Sequence, residues 1–184
     1  MSLKTLLLLI TMLPTFAFAA GKVDVLAGAF SINAKSGNAS SSVAGLGAYM
    51  LDYRISFWSN FDLIVGYSID ASKGIGGDLA FGPDFGILYF PLTHSDVITA
   101  SSDTVVVDFQ DHIKPYVGGS FHQRQYQSTN STYAGFGGSL GSEFNFWKSF
   151  SVRAEIRDIV FAGPSGATAN EINALVGFTF RTGK

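Results

Sequence analysis

The chain contains no cysteine. That absence excludes disulfides, thiolate metal sites, cysteine nucleophiles and the lipidated cysteine of an exported lipoprotein, so any membrane attachment has to come from the fold itself. Charge is also scarce. Only 14% of residues are Asp, Glu, Lys or Arg, against roughly 25% in an ordinary soluble domain. The formal net charge of −2 is too mild to hold nucleic acid. Beyond residue 20 there is no apolar run of helix-spanning length, which argues against a helical membrane protein.

What is present begins with an export signal. Lys4 gives a positive start, Leu6 to Phe18 is an almost unbroken apolar run, and Ala17-Phe18-Ala19 has the small-x-small form that a signal peptidase needs. The run falls short of the ~20 apolar residues of a spanning helix. A cleaved signal peptide over 1–20 is therefore expected, followed by one domain over 21–184. Losing Lys4 takes the net charge from −2 to −3 and leaves about 165 residues.

Glycine (21) and phenylalanine (17) are abundant, a poor surface for water but a serviceable one for lipid. The mature sequence divides into eight strand-length segments of alternating polarity. In the third, Phe61, Leu63, Val65, Tyr67 and Ile69 oppose Asp62, Gly66, Ser68 and Asp70, with Ile64 as the exception. In the fourth, Leu79, Phe81, Pro83, Phe85, Ile87 and Tyr89 oppose Asp78, Ala80, Gly82, Asp84 and Gly86, and Pro83, unable to donate to a ladder, is expected to force a bulge. The seventh sets Phe150, Val152, Ala154, Ile156 and Val160 against Ser151, Arg153, Glu155 and Arg157. The last sets Ile172, Ala174, Val176, Phe178 and Phe180 against Asn173, Leu175, Gly177 and Thr179. Less regular segments run over 23–32, 43–55, 115–126 and 133–144.

Each segment has the ~9–11 residues of a tilted transmembrane strand, and a bilayer accepts strands only when closure leaves no unpaired edge. The expected fold is all-β: an eight-stranded antiparallel up-and-down transmembrane β-barrel. Ten strands are possible because 93–113 contains Val97-Ile98-Thr99-Ala100 and Thr104-Val105-Val106-Val107-Asp108-Phe109. The preferred placement is a periplasmic hairpin outside the wall. With both chain ends periplasmic, the outer loops would be 34–42, 71–77, 127–132 and 162–171, all rich in turn-forming or small residues. Phe57-Trp58-Ser59-Asn60-Phe61 and Phe146-Trp147-Lys148-Ser149-Phe150 repeat one F-W-x-x-F pattern at two periplasmic turns. With Tyr53, Tyr89, Phe90, Phe144 and Phe178, Trp58 and Trp147 are expected to form an aromatic girdle at the headgroups.

Two stretches carry a family resemblance. Lys114-Pro115-Tyr116-Val117-Gly118-Gly119 resembles the opening of a mid-barrel strand, and Ala174-Leu175-Val176-Gly177-Phe178-Thr179-Phe180 the closing strand, of the small eight-stranded outer-membrane barrels, the OmpA-barrel and OmpX-like group. The resemblance covers essentially the whole mature chain. It implies residence in the bacterial outer membrane, contact with its lipid, and insertion by the barrel-assembly machinery. In one respect the chain departs from the family, which ends on an aromatic residue read during assembly: here Arg181-Thr182-Gly183-Lys184 follow Phe180.

The inward positions hold the chemistry. Asp52, Arg54, Asp62, Asp84, Arg124, Glu143, Arg153, Glu155 and Arg157 are expected to share one lumen. An eight-stranded barrel is only wide enough for its side chains to fill, and charges persist there when paired, so a plug is preferred to a narrow ion or small-solute channel. Ser120 and His122 share a strand face, as in a lipid-modifying barrel hydrolase, but no acid can be placed beside them from sequence, and a polar lumen pair is the preferred reading. His94 and His112, even with Asp96 or Asp111, lack a recurring ligand spacing, so no metal is expected. Gly135-Phe136-Gly137-Gly138-Ser139-Leu140-Gly141 superficially looks like a nucleotide loop but lies in a strand with no helix after it. No cofactor and no nucleic acid are expected. The resulting functional expectation is a structural or interaction role in the cell envelope, with an envelope protein as possible partner and no enzymatic activity. A soluble ligand-binding barrel would invert the observed polarity.

Overall fold

The computed structural model describes residues 21–72, 79–92, 98–101, 106–109, 112–127, 130–147 and 149–182; the expected signal peptide lies outside them. The strands are β1 Gly21–Ser36, β2 Ala39–Trp58, β3 Phe61–Ala71, β4 Leu79–Tyr89, β5 Ile98–Ser101, β6 Val106–Phe109, β7 Ile113–Tyr126, β8 Ser131–Trp147, β9 Phe150–Ala162 and β10 Thr168–Thr182. Eight of them close into an antiparallel barrel in the order β1-β10-β9-β8-β7-β4-β3-β2. The seam is long, with β1 pairing β10 from Gly21↔Thr182 to Lys35↔Thr168. Because β4 pairs directly with β7, β5 and β6 are left to form a separate two-stranded sheet, and the wall has eight strands rather than ten.

Alternation decides which face meets which solvent. Val65 and Phe85 are 39% and 48% exposed on the outside, whereas Arg54 and Arg153 are 0% exposed on the inside. This polarity is the inverse of a soluble barrel and suits hydrocarbon outside with charge within.

The strands outrun their expected ends. Residues 34–42, expected as an outer loop, continue the β1–β2 ladder through Ala34↔Ser41 and Ser36↔Ala39, and only Gly37 and Asn38 make the turn. Gly37 supplies the positive φ of 58° that such a tight turn favours. The 162–171 loop likewise shrinks, since β9 reaches Ala162 and β10 starts at Thr168. The 127–132 loop loses Ser131 and Thr132 to β8. Small and polar residues read as loop, yet pairing above a bilayer needs only backbone partners. Pro83 also departs from expectation: it lies opposite Tyr67 with no shift in the β3–β4 register, and the β4–β7 register is the same on both sides of it.

Register shifts occur elsewhere, including between Ser56 and Trp58 and between Asn145 and Trp147. Phe57 and Phe146 are the extra residues. The repeated F-W-x-x-F pattern is thus a repeated bulge, one that twists the strand and re-aims its aromatics at the turn.

Candidate functional site

The lumen is layered. At the end holding Gly21 and Thr182, Ile64, Leu88, Phe90 and Tyr116 pack together. Phe90, expected in the girdle, is therefore an inward residue, 4% exposed, because the chain turns after Tyr89 and the Phe90 N–H bonds the Asn60 carbonyl at 2.9 Å. Toward the opposite, outer end, Leu26, Phe30, Ile32, Met50, Ile159 and Phe161 belong to a larger apolar cluster. A band of charge separates the two.

All nine expected lumen charges are buried in that band. Arg54 donates to Asp24 from Nε at 2.5 Å and Nη2 at 2.9 Å, to Asp62 at 3.1 Å and to Glu143 at 2.9 Å. From β9, two strands round the barrel, Arg153 reaches the same Asp24 at 2.5 Å and accompanies Asp52 at 3.7 Å. Glu155 binds both Arg153 and Arg157 and accepts from the Tyr116 hydroxyl at 2.6 Å. Arg157 continues to Asp52 at 3.2 Å. A second knot forms on Asp84, which Arg124 holds at 2.7 Å while also reaching Glu171 at 3.4 Å and Asp70 at 3.9 Å. Every one of the eight wall strands contributes a member.

Several members were missed by sequence reasoning. Asp24 is one, and Thr179, already read on the polar face of the last strand, donates to it at 2.6 Å across the two strands that close the barrel. Asp24 sits beside Lys22 and Leu26 on an alternating face that was readable but blurred by nearby Ala and Gly. Glu171 fell in an expected loop and is fully buried once β10 begins at Thr168.

The structure supplies the acid that the sequence left unplaced. Ser120 Oγ lies 2.6 Å from His122 Nε2, and His122 Nδ1 lies 2.6 Å from Asp84 Oδ1. These are the contacts of a nucleophile, base and orienting acid. Asp84 is also bound by Arg124 and Ser68, and His122 is 0% exposed.

Tyr53, Trp58, Tyr89, Phe144, Trp147 and Phe178, expected in the girdle, all lie on the outer face. Trp58 and Trp147 are 69% and 67% exposed. Phe61 links Trp58 at 5.8 Å to Tyr89 at 4.9 Å, and Phe150 links Trp147 at 5.6 Å to Phe178 at 5.4 Å. Among the described residues no group of His, Asp and Glu is arranged to hold a metal. His94, Asp96 and Asp111 lie outside them.

At the outer end a cavity of about 260 Å³ sits above the charge band, between the β1–β2 and β7–β8 hairpins. Its lining is Ile32, Ala34, Ser41, Val43, Tyr126, Tyr133 and Ala169.

Solved structures share this architecture. The Neisserial surface protein A superposes with a TM-score of 0.59 at 12% identity, covering 88% of this chain and 96% of that one. The outer membrane protein OprG from Pseudomonas aeruginosa superposes with a TM-score of 0.50 at 12% identity, covering 92% and 99%. At such identities the likeness is one of fold. No curated protein matches the chain in sequence. The family described as outer membrane protein beta-barrel domain matches residues 5–180. With the polarity of its wall, that match places the protein in the bacterial outer membrane, and the chain belongs to the outer membrane β-barrel domain family.

Proposed function

We propose that this is a closed, non-catalytic barrel with a structural or interaction role in the cell envelope, its lumen plugged by paired charges. The observation that carries this reading is Arg54 of β2, which grips Asp24 on the neighbouring β1 together with Arg153 of β9 and reaches Glu143 on β8, four strands round the barrel, tying opposite sides of the wall together across the lumen. A solute passing through would have to break several buried ion pairs, each strongly unfavourable to open when one charge is left without its partner. Outer-membrane lipid is the partner of the apolar outer face, and the barrel-assembly machinery that of the unfolded chain. An envelope protein would meet the periplasmic side, including β5 and β6.

Single-channel recording of refolded protein in planar bilayers tests the plug, with a heat-modifiability gel to establish closure. The expected result is a folded barrel that does not conduct. Reproducible conductance altered by neutralising Arg153 or Glu155 would favour the channel instead.

A hydrolase is the second reading, on the strength of the Ser120, His122 and Asp84 contacts. A fluorophosphonate probe decides it: the folded protein is expected to remain unlabelled, whereas labelling abolished by Ser120→Ala would make Ser120 a nucleophile.

A further inference from the structure

We infer that the barrel meets a locally thinned outer leaflet along its closing seam: β9, β10 and β1 face lipid headgroups at a height where β3 and β4, on the opposite wall, face acyl chains. All strands of a closed barrel share one tilt, so equal residue counts from the periplasmic ends reach equal heights. Counted in this way, the outward apolar series runs unbroken from Phe61 to Ala71 on β3 and from Tyr89 to Leu79 on β4. On β9 it starts at Phe150 and stops after Ile156, because Asp158 faces outward. On β1 it starts at Val23 and stops after Ala29, where Ser31 follows.

The register gathers these polar residues. Asp158 and Ser31 flank Ile172 in one row across the strands, and the next row toward the outer end joins Val160, Asn170 and Asn33. Asn170 ties the two rows together by donating to Asp158 at 2.5 Å. A carboxylate is costly in hydrocarbon and well solvated among headgroups, so this group of residues marks where the acyl chains end. The strand order sets β9 opposite β3 and β10 opposite β4, which makes one side of the apolar belt short and the other tall. The difference is one to two outward steps of two residues, about 5 to 10 Å along the barrel axis.

A short belt is met either by tilting or by thinning the bilayer, and the aromatic girdle selects thinning. Trp58, where β2 turns into β3, and Trp147, where β8 turns into β9, stand at opposite poles of the periplasmic rim, both exposed on the outer face. Tryptophan holds to the interface, and a tilt that sank one of the pair would lift the other out. The difference in height therefore falls on the outer leaflet, beside the seam.

The chain has no cysteine, so single-cysteine variants take one nitroxide each. Ile172→Cys on β10 and Phe81→Cys on β4 stand at equal counts from Phe180 and Tyr89 on opposite strands, and Phe178→Cys and Ile87→Cys do the same near the periplasmic rim. Each labelled barrel is checked for closure by heat modifiability and placed in vesicles of phosphatidylethanolamine and phosphatidylglycerol. Electron paramagnetic resonance with oxygen and a nickel chelate as relaxing agents then reads the depth of the label. The label at 172 is expected about 5 Å or more nearer to headgroups than the label at 81, with the labels at 178 and 87 level. Asp158→Leu and Asn170→Leu together should bring 172 and 81 level. Equal depths at 172 and 81 in the otherwise unaltered wall, or a difference that survives the two leucines, would overturn the thinning. An offset of the same size between 178 and 87 would mean a tilted barrel, and shielding of the 172 label from both agents would mean that another chain covers the seam; either result overturns the inference.

Discussion

Arg153 is the residue on which the plug turns. Its guanidinium serves Asp24, Asp52 and Glu155 and is shielded from solvent, so Arg153→Met takes one cation from three buried carboxylates and leaves Asp24 to Arg54 and both Asp52 and Glu155 to Arg157. Breaking a buried pair by removing one partner typically costs about 3–5 kcal/mol. Urea unfolding in lipid vesicles should show a loss of that size. A loss below about 1 kcal/mol would mean that Arg54 and Arg157 compensate the three acids by themselves. The charges of β9 were legible in the sequence, because Arg153, Glu155 and Arg157 follow one another at period two among apolar residues. Their partners were not. Which acid meets which base depends on the register of strands far apart in the chain, and Asp84 meets His122 38 positions later only because β4 pairs directly with β7.

For the strands, existence was legible and extent was not. The clean alternation of β3, β4, β9 and β10 reports two different solvents, and that contrast exists only within the bilayer. Above it, as in the β1–β2 hairpin, both faces are wet and the alternation disappears while the ladder continues. Phe90 fell to the same limit: one residue beyond β4, its side is set by the turn and not by the period. Where alternation holds, it makes a quantitative prediction. Arg at Val65, Phe85 or Val152, all on the outer face, should cost about 2–4 kcal/mol each near the midplane. Reversible unfolding in vesicles measures it, and unchanged stability in all three variants would mean that the lipid face has been assigned wrongly. The lumen was expected to hold charge, and the apolar cluster around Phe30, Ile32 and Phe161 was not foreseen. Inward apolar residues cannot be told from outward ones when Ala and Gly occupy the intervening positions.

In the molecule as a whole, the wall does not depend on the segment that interrupts it. From Tyr89↔Val117 to Ala80↔Tyr126 the two strands flanking that segment are already paired. Replacing 93–111 with a short turn should leave heat modifiability intact, and failure to close would show that the segment takes part in assembly. The seam between β1 and β10 has a different consequence, one of timing. Its fifteen residue pairs join the first and last strands of the wall, and such sequence-distant contacts are the slowest to form. Asp24, the carboxylate that both Arg54 and Arg153 grip, enters on the first strand, and Thr179, which donates to it, on the last. An unclosed sheet therefore carries half-made ion pairs facing a gap, and these are satisfied only when the final strand docks. The plug thus acts as a latch on the folding reaction, making the open sheet costly to linger in and the closed cylinder slow to reopen.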